Sequence, residues 1–141
     1  MRHVRWFVAG ALAVPLFHQV MLAILNAVGW VARAPYAMTP TKPFGVPQVV
    51  SLSFWGGVWG VILGVVLQRA ARRRYWLVAL VFGAIAPTLV AIFVAAPLKG
   101  QPIAPDAKML VTGLLVNAAW GVGTALLAQA VPGTRRISGR P

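Results

Sequence analysis

Long apolar stretches alternate with short polar segments along the whole chain. Uncharged residues run from 6 to 32, 49 to 67, 75 to 96 and 109 to 130. A helix rises about 1.5 Å per residue, so the shortest stretch spans about 28 Å, close to the hydrocarbon thickness of a bilayer. The pattern predicts a single-domain, all-α integral membrane four-helix bundle with helices at about 4–31, 49–67, 75–96 and 109–130. We expect a disordered basic tail at 133–141.

The first apolar stretch follows a short basic segment, as the apolar region of a signal peptide does. Signal peptides carry apolar regions of about 7–15 residues, whereas this run has 27. We therefore predict a membrane helix instead. Pro15 lies inside it and is expected to interrupt the helix, because proline lacks a backbone N–H and crowds the preceding turn.

The polar segments between the helices differ in charge. The amino terminus, the 69–74 segment and the carboxyl-terminal tail together carry nine Lys and Arg residues, whereas the two proline-rich loops at 33–48 and 97–108 carry four. Basic segments next to membrane helices stay in the cytoplasm. With four crossings, both termini and the arginine-rich turn are predicted to be cytoplasmic, an N-in/C-in topology.

The composition excludes several classes of protein. Hydrophobic residues make up 60% of the chain and charged residues only 10%, against roughly a quarter charged in a soluble domain. There is no cysteine and only one acidic residue, Asp106, so thiolate chemistry and paired carboxylates are not available within one chain. We expect no catalytic residue, no metal and no cofactor. Asp106 is expected to cap a short lead-in to the fourth helix.

Small residues recur every four positions in several predicted helices. Such a row lies along one side of a helix and lets another helix approach closely, which is how helices associate in lipid. Because three helices carry such rows, we expect the row of the second helix to face another chain. The glycines predicted to pack helices are Gly56, Gly60, Gly64, Gly83, Gly113 and Gly121.

A few polar or amphipathic side chains lie within the predicted helices, where lipid offers no hydrogen-bond partner. One interpretation is a cluster between helices that binds a small polar ligand or a flat lipophilic one. The other is structural hydrogen bonding across helices, at about 0.6–2 kcal/mol for each bond. The candidates are His18, Asn26, Thr88, Asn117, Trp59 and Trp120.

The 69–74 segment is the most basic part of the chain. The net charge of +12 is also compatible with a nucleic-acid partner. The arginines lie in short segments between membrane helices, however, which favours a role in topology and no nucleic-acid binding. Anionic lipid headgroups on the cytoplasmic side are the expected partners, at about 1 kcal/mol for each charge. The residues concerned are Arg69, Arg72, Arg73 and Arg74.

The two halves of the chain share several features. Each predicted hairpin contains a proline in its first helix, Pro15 or Pro87, and a proline-rich loop before the second. Each returning helix contains Trp-Gly-Val, at 59–61 and 120–122. Chance similarity between apolar hairpins explains these features, and a parallel duplication is the alternative.

Several motifs carry a resemblance to a family: PYAMTP at 35–40, PFGVPQ at 43–48, FWGG at 54–57 and, more distantly, NAAWG at 117–121. The chain resembles an uncharacterised family of small four-helix proteins of the bacterial inner membrane. The resemblance implies that fold and that location. It implies no activity.

Two functions follow from these observations. The first is a non-enzymatic inner-membrane protein, either an accessory subunit or a self-associating scaffold that packs through small-residue helix faces, with copies of itself or other membrane subunits as partners. The alternative is a small transporter or channel, or a lipophilic-ligand-binding membrane protein, with its site around His18. Proton-coupled transport is disfavoured by the lack of charged residues within the predicted helices.

Overall fold

Four long helices account for most of the computed structural model, which describes residues 2–42, 44–100, 103 and 106–130. We name them α1 (Arg2–Ala27), α2 (Gln48–Arg69), α3 (Arg72–Leu98) and α4 (Ala107–Ala130). All four are long and apolar enough to cross a membrane, which confirms the predicted all-α four-helix bundle. The tail that we predicted to be disordered lies outside the described residues.

The interruption expected in α1 is a π turn at Val14–His18, which contains Pro15. A widened turn of this kind relieves the break that proline makes in the hydrogen-bond ladder. The helix ends at Ala27, although the apolar pattern continues to residue 32. Gly29 then adopts a φ of +72°, a left-handed conformation that suits glycine and ends a helix.

The described part of the loop between α1 and α2 folds back on α1. Two short strands, β1 (Pro40–Thr41) and β2 (Val46–Pro47), pair in antiparallel fashion. Tyr36 has a φ of +54°, which is uncommon for a residue with a side chain. Its backbone N–H donates to Oε1 of Gln19 at 2.8 Å, and its hydroxyl donates to the Pro15 carbonyl at 2.9 Å. These bonds hold the loop against the π turn of α1.

Helix α3 begins with a 3-10 turn at Arg72–Arg74 and continues as α-helix over Tyr75–Val90. Pro87 lies inside it, and a π turn follows at Ala91–Ala95. Helix α4 begins after Asp106, whose Oδ1 accepts a hydrogen bond from the Met109 backbone N–H at 2.6 Å. This bond confirms Asp106 as the amino-terminal cap of α4.

Helices α1 and α2 pack backbone to backbone along the glycine row of α2. A Cβ atom at Gly60 would lie 2.9 Å from the Cα of Gly10 and closer still to the Trp6 carbonyl oxygen. Gly64 lies under the indole ring of Trp6. A Cβ atom at Gly56 would lie 2.8 Å from the Gly10 carbonyl oxygen. Only glycine leaves room for this approach.

This packing corrects one expectation about the α2 glycines. Gly56, Gly60 and Gly64 are all buried within the chain, and α1 covers the row that we expected to face another chain. The physical reason is that α1 carries a small residue of its own, Gly10, at the matching depth, so the two helices of one hairpin close on each other.

Helices α3 and α4 pack in the same manner. A Cβ atom at Gly83 would lie 2.7 Å from the Cα of Gly121, and a Cβ atom at Gly121 would lie closer still to the Ala79 carbonyl oxygen. Further along, Gly113 contacts the methyl group of Thr88. Two antiparallel hairpins, each with a glycine pair at its centre, therefore make up the bundle.

The hairpins join through α1 and α4. The core at this junction contains Trp6, Ala9, Ala13, Trp120 and Ala125. At the end near the proline-rich loops, Trp30 Nε1 donates to Oγ1 of Thr112 at 2.9 Å. Helix α3 remains the least covered: 17% of its apolar segment is buried inside the bundle, compared with 39% for α1. The bundle therefore has a covered side around α1 and an uncovered side along α3.

Candidate functional site

The polar side chains within the helices form separate groups. Asn117 Nδ2 donates to Oγ1 of Thr88 at 3.0 Å, across the α3/α4 seam. Thr88 is buried. An unpaired amide or hydroxyl is costly in lipid, and this bond gives each group a partner while it holds the two helices together.

The two tryptophan candidates lie in different seams. Trp120 is buried, and its Nε1 donates to the Gly10 carbonyl oxygen at 2.9 Å, which ties α4 to α1. Trp59 is partly buried and meets the ring of Phe82 edge-on at 6.0 Å, which ties α2 to α3. Each indole thus fills a contact between hairpins.

His18 lies beside the outer loop. Gln19, its neighbour in sequence, accepts the Tyr36 backbone N–H through Oε1 and places Nε2 at 3.3 Å from Nδ1 of His18. A backbone N–H can only donate, so Gln19 Nε2 is the donor and His18 Nδ1 the acceptor. The neutral imidazole therefore carries its proton on Nε2. The structure does not bring His18 together with Thr88 and Asn117, because its neighbours come from the loop and from α2.

A small cavity of about 20 Å³ lies between His18, Gln19, Arg33 and Gln48. A cavity needs a volume of roughly 10–15 Å³ to hold one water molecule. The cavity therefore has room for a single water and not for an organic substrate. Among the described residues, no three His, Cys, Asp or Glu side chains group as metal ligands would.

Sequence reasoning missed three members of this group, namely Gln19, Arg33 and Tyr36. Gln19 is only 2% exposed, and a second polar residue directly after His18 was a signal for a shared environment. Tyr36 and Arg33 gave no comparable signal. Their placement depends on a loop that turns back toward the middle of α1, which local sequence does not reveal.

Asn26, the remaining polar candidate, serves the end of α1. Its Nδ2 donates to the Val31 carbonyl oxygen at 3.0 Å. Backbone carbonyl groups at the end of a helix, and in the turn after it, have no partner in the helical hydrogen-bond pattern. Asn26 is therefore occupied in closing the helix end.

The arginine cluster, Arg69 and Arg72–Arg74, lies at the turn between α2 and α3, and all four side chains are exposed. The only acidic residue of the chain, Asp106, caps α4 at the opposite end of the α3/α4 hairpin. No acidic side chain of the chain therefore neutralises this cluster. Three arginines at the start of α3 also oppose the helix dipole, which favours negative charge there.

Comparison of the chain with protein-family models, with curated proteins and with solved structures found no match. The geometry still defines a class, since four helices that can cross a membrane and pack as one bundle make this a small multi-pass membrane protein. Of the resemblance noted in the sequence, only the four-helix fold is supported.

Proposed function

We propose that the chain is a non-enzymatic protein of the bacterial inner membrane, with both termini in the cytoplasm, that acts as a self-associating scaffold or an accessory subunit. The observation that carries this proposal is how the polar side chains are used. Asn117, Trp120 and Asn26 each donate to a partner that closes a seam or a helix end. Such groups hold the bundle in one arrangement, since each is bonded to another part of the protein.

The uncovered side along α3 supports association. Its outward residues include Leu80, Leu89, Phe93 and Val94, all exposed on the isolated chain. The glycine rows are already used inside each hairpin, so association would involve larger side chains. We propose α3 as the face that meets a second copy or another subunit.

The absence of cysteine allows a direct test of self-association. Leu89→Cys places a thiol on α3, at 44% exposure, and Leu12→Cys places one on α1, at 47% exposure. After mild oxidation in native membranes, we expect a disulfide-linked dimer from Leu89→Cys and monomer from Leu12→Cys. Equal cross-linking of the two variants, or monomer from both, counts against association through α3.

The orientation and the expected partners belong to the same proposal. Nine basic residues on one side against four on the other support cytoplasmic termini. A reporter that works only in the cytoplasm is expected to be active when fused after Arg74 or after Ala130. A reporter that works only after export is expected to be inactive at both positions. We propose anionic headgroups as partners of the arginine cluster, with no nucleic acid and no cofactor.

The ligand-binding or transport alternative has weaker support. The cavity beside His18 has the size of a water molecule, and the Thr88–Asn117 pair lies in another seam. For a ligand to reach His18, the outer loop held by Tyr36 has to open. Uptake or binding activity that disappears in His18→Ala, but persists in Thr88→Val, is the result that favours this alternative.

A further inference from the structure

An open groove runs along the half of α3 that begins at the arginine cluster. Its apolar lining comes from Leu77, Val81, Phe82 and Ile85 of α3 and from Val66 of α2, and Arg74 lies at its end. The groove volume is about 510 Å³. It is thus an apolar groove with a guanidinium group at one end.

The dimensions of the groove match one leaflet of a bilayer. From Arg74 to Ile85 the helix rises about 17 Å at about 1.5 Å per residue. Half of the hydrocarbon core is about 15 Å thick. With Arg74 at the headgroup level, the apolar lining therefore extends over the depth of one acyl chain.

The charge at the groove end also selects its occupant. Arg74 belongs to a cluster of four exposed arginines, and the one acidic side chain of the chain lies at the other end of α3. A phosphate group would accept hydrogen bonds from a guanidinium and would complement the dipole at the start of the helix. A zwitterionic headgroup brings its own cation and gains less.

We propose that this groove binds one molecule of an anionic phospholipid, with its phosphate at Arg74 and an acyl chain along Leu77, Val81 and Ile85. The inference rests on the proposed function in one respect, since the orientation places the groove in the cytoplasmic leaflet. It adds a defined lipid site to a general attraction of the arginine cluster for headgroups.

Native mass spectrometry of the full chain tests this site. The protein is released from mild detergent containing equal amounts of phosphatidylglycerol and phosphatidylethanolamine with identical acyl chains, in 0.15 M salt. We expect one retained phosphatidylglycerol per chain. Arg74→Gln is expected to weaken retention at least fivefold, in line with one lost charge contact. The neighbouring variant Arg73→Gln, which does not line the groove, is expected to change retention less than twofold, because salt screens exposed charges that make no contact.

A second pair of variants tests the apolar part. Val81→Trp fills the groove and is expected to abolish the retained lipid. Leu126→Trp places the same bulk on α4, near the same end of the bundle and at similar exposure, and is expected to leave the lipid bound. Ile85→Trp replaces Val81→Trp if the latter does not fold, as judged by its melting temperature.

Three results would overturn the proposal: equal retention of the two lipids, equal effects of Arg73→Gln and Arg74→Gln, or a lipid that survives both groove-filling variants. The same spectra give the mass of the lipid-free protein. Loss of self-association would appear there, separately from loss of the lipid, so failure of the proposed function is distinguishable from failure of this inference.

Discussion

In the α1/α2 hairpin Gly10 meets Gly60, and in the α3/α4 hairpin Gly83 meets Gly121. The two seams differ one helical turn before Gly60 and one helical turn before Gly121. The first has Gly56 against the side chain of Val14, whereas the second has Asn117 bonded to Thr88. The same backbone approach is thus completed by apolar contact in one hairpin and by a hydrogen bond in the other.

The difference corresponds to what surrounds each hairpin. Helix α1 is covered by α2 on one side and by α4 on the other, while α3 packs mainly on α4 and leaves most of its surface uncovered. We infer that the polar bond compensates for the small contact of α3 with its second neighbour, α2. Four sets of substitutions test this comparison, from the largest expected effect to the smallest.

The glycine pairs are expected to be the most sensitive positions. Gly60→Leu and Gly121→Leu each force a side chain into the backbone of the facing helix, at a cost of about 3 kcal/mol or more. Both variants should lose the folded bundle, measured as a lower melting temperature in detergent. Ala91→Leu, at an exposed position of α3, is the control and should melt like the wild type. If the Gly60→Leu protein is stable and its mass on native gels changes, the glycine row of α2 contacts another chain and not α1.

The junction between the hairpins is expected to be next. Trp120→Phe removes the hydrogen bond to the Gly10 carbonyl and leaves a cavity in a buried site, at about 2 kcal/mol. Trp59→Phe keeps an aromatic ring against Phe82 and should cost about 1 kcal/mol or less. Unfolding in denaturant compares the two. Equal losses would mean that the α1–α4 and α2–α3 contacts are equally important.

The outer loop of the first hairpin gives a third test. Tyr36→Phe deletes the hydroxyl that donates to the Pro15 carbonyl and should cost about 1 kcal/mol. We also expect faster amide hydrogen exchange in residues 34–39. Tyr75→Phe, where the ring contact with Trp76 is retained, is the matched control. Unchanged exchange in Tyr36→Phe would show that the loop is held by other contacts.

The smallest effect is expected for the polar bond of the second seam. Thr88→Val keeps the shape of the side chain and removes the acceptor, at about 0.6 kcal/mol. A double-mutant cycle with Asn117→Ala isolates the coupling between the two side chains. A coupling near zero would remove the proposed compensation for the uncovered side of α3.

Some of the candidate site followed from the sequence and some did not. Thr88 and Asn117 were predicted to meet because both are polar groups at similar depth in neighbouring helices. His18 satisfied the same reasoning, but its neighbour Gln19 is bonded to the backbone of Tyr36. The contact between Gln19 and Tyr36 depends on the path of the outer loop. No periodic pattern in the sequence indicates that path.

The sequence by itself determined the four long apolar helices, the cap at Asp106 and part of the set of glycines where helices come close, because length, hydropathy and residue size act locally; Gly10 was missed. Only the tertiary structure decided which helix covers each glycine row, which polar groups pair and which helix stays uncovered. In lipid, apolar faces of similar composition have nearly equal energies against many neighbours. The choice between them therefore depends on shape complementarity over whole helices, which no single segment contains.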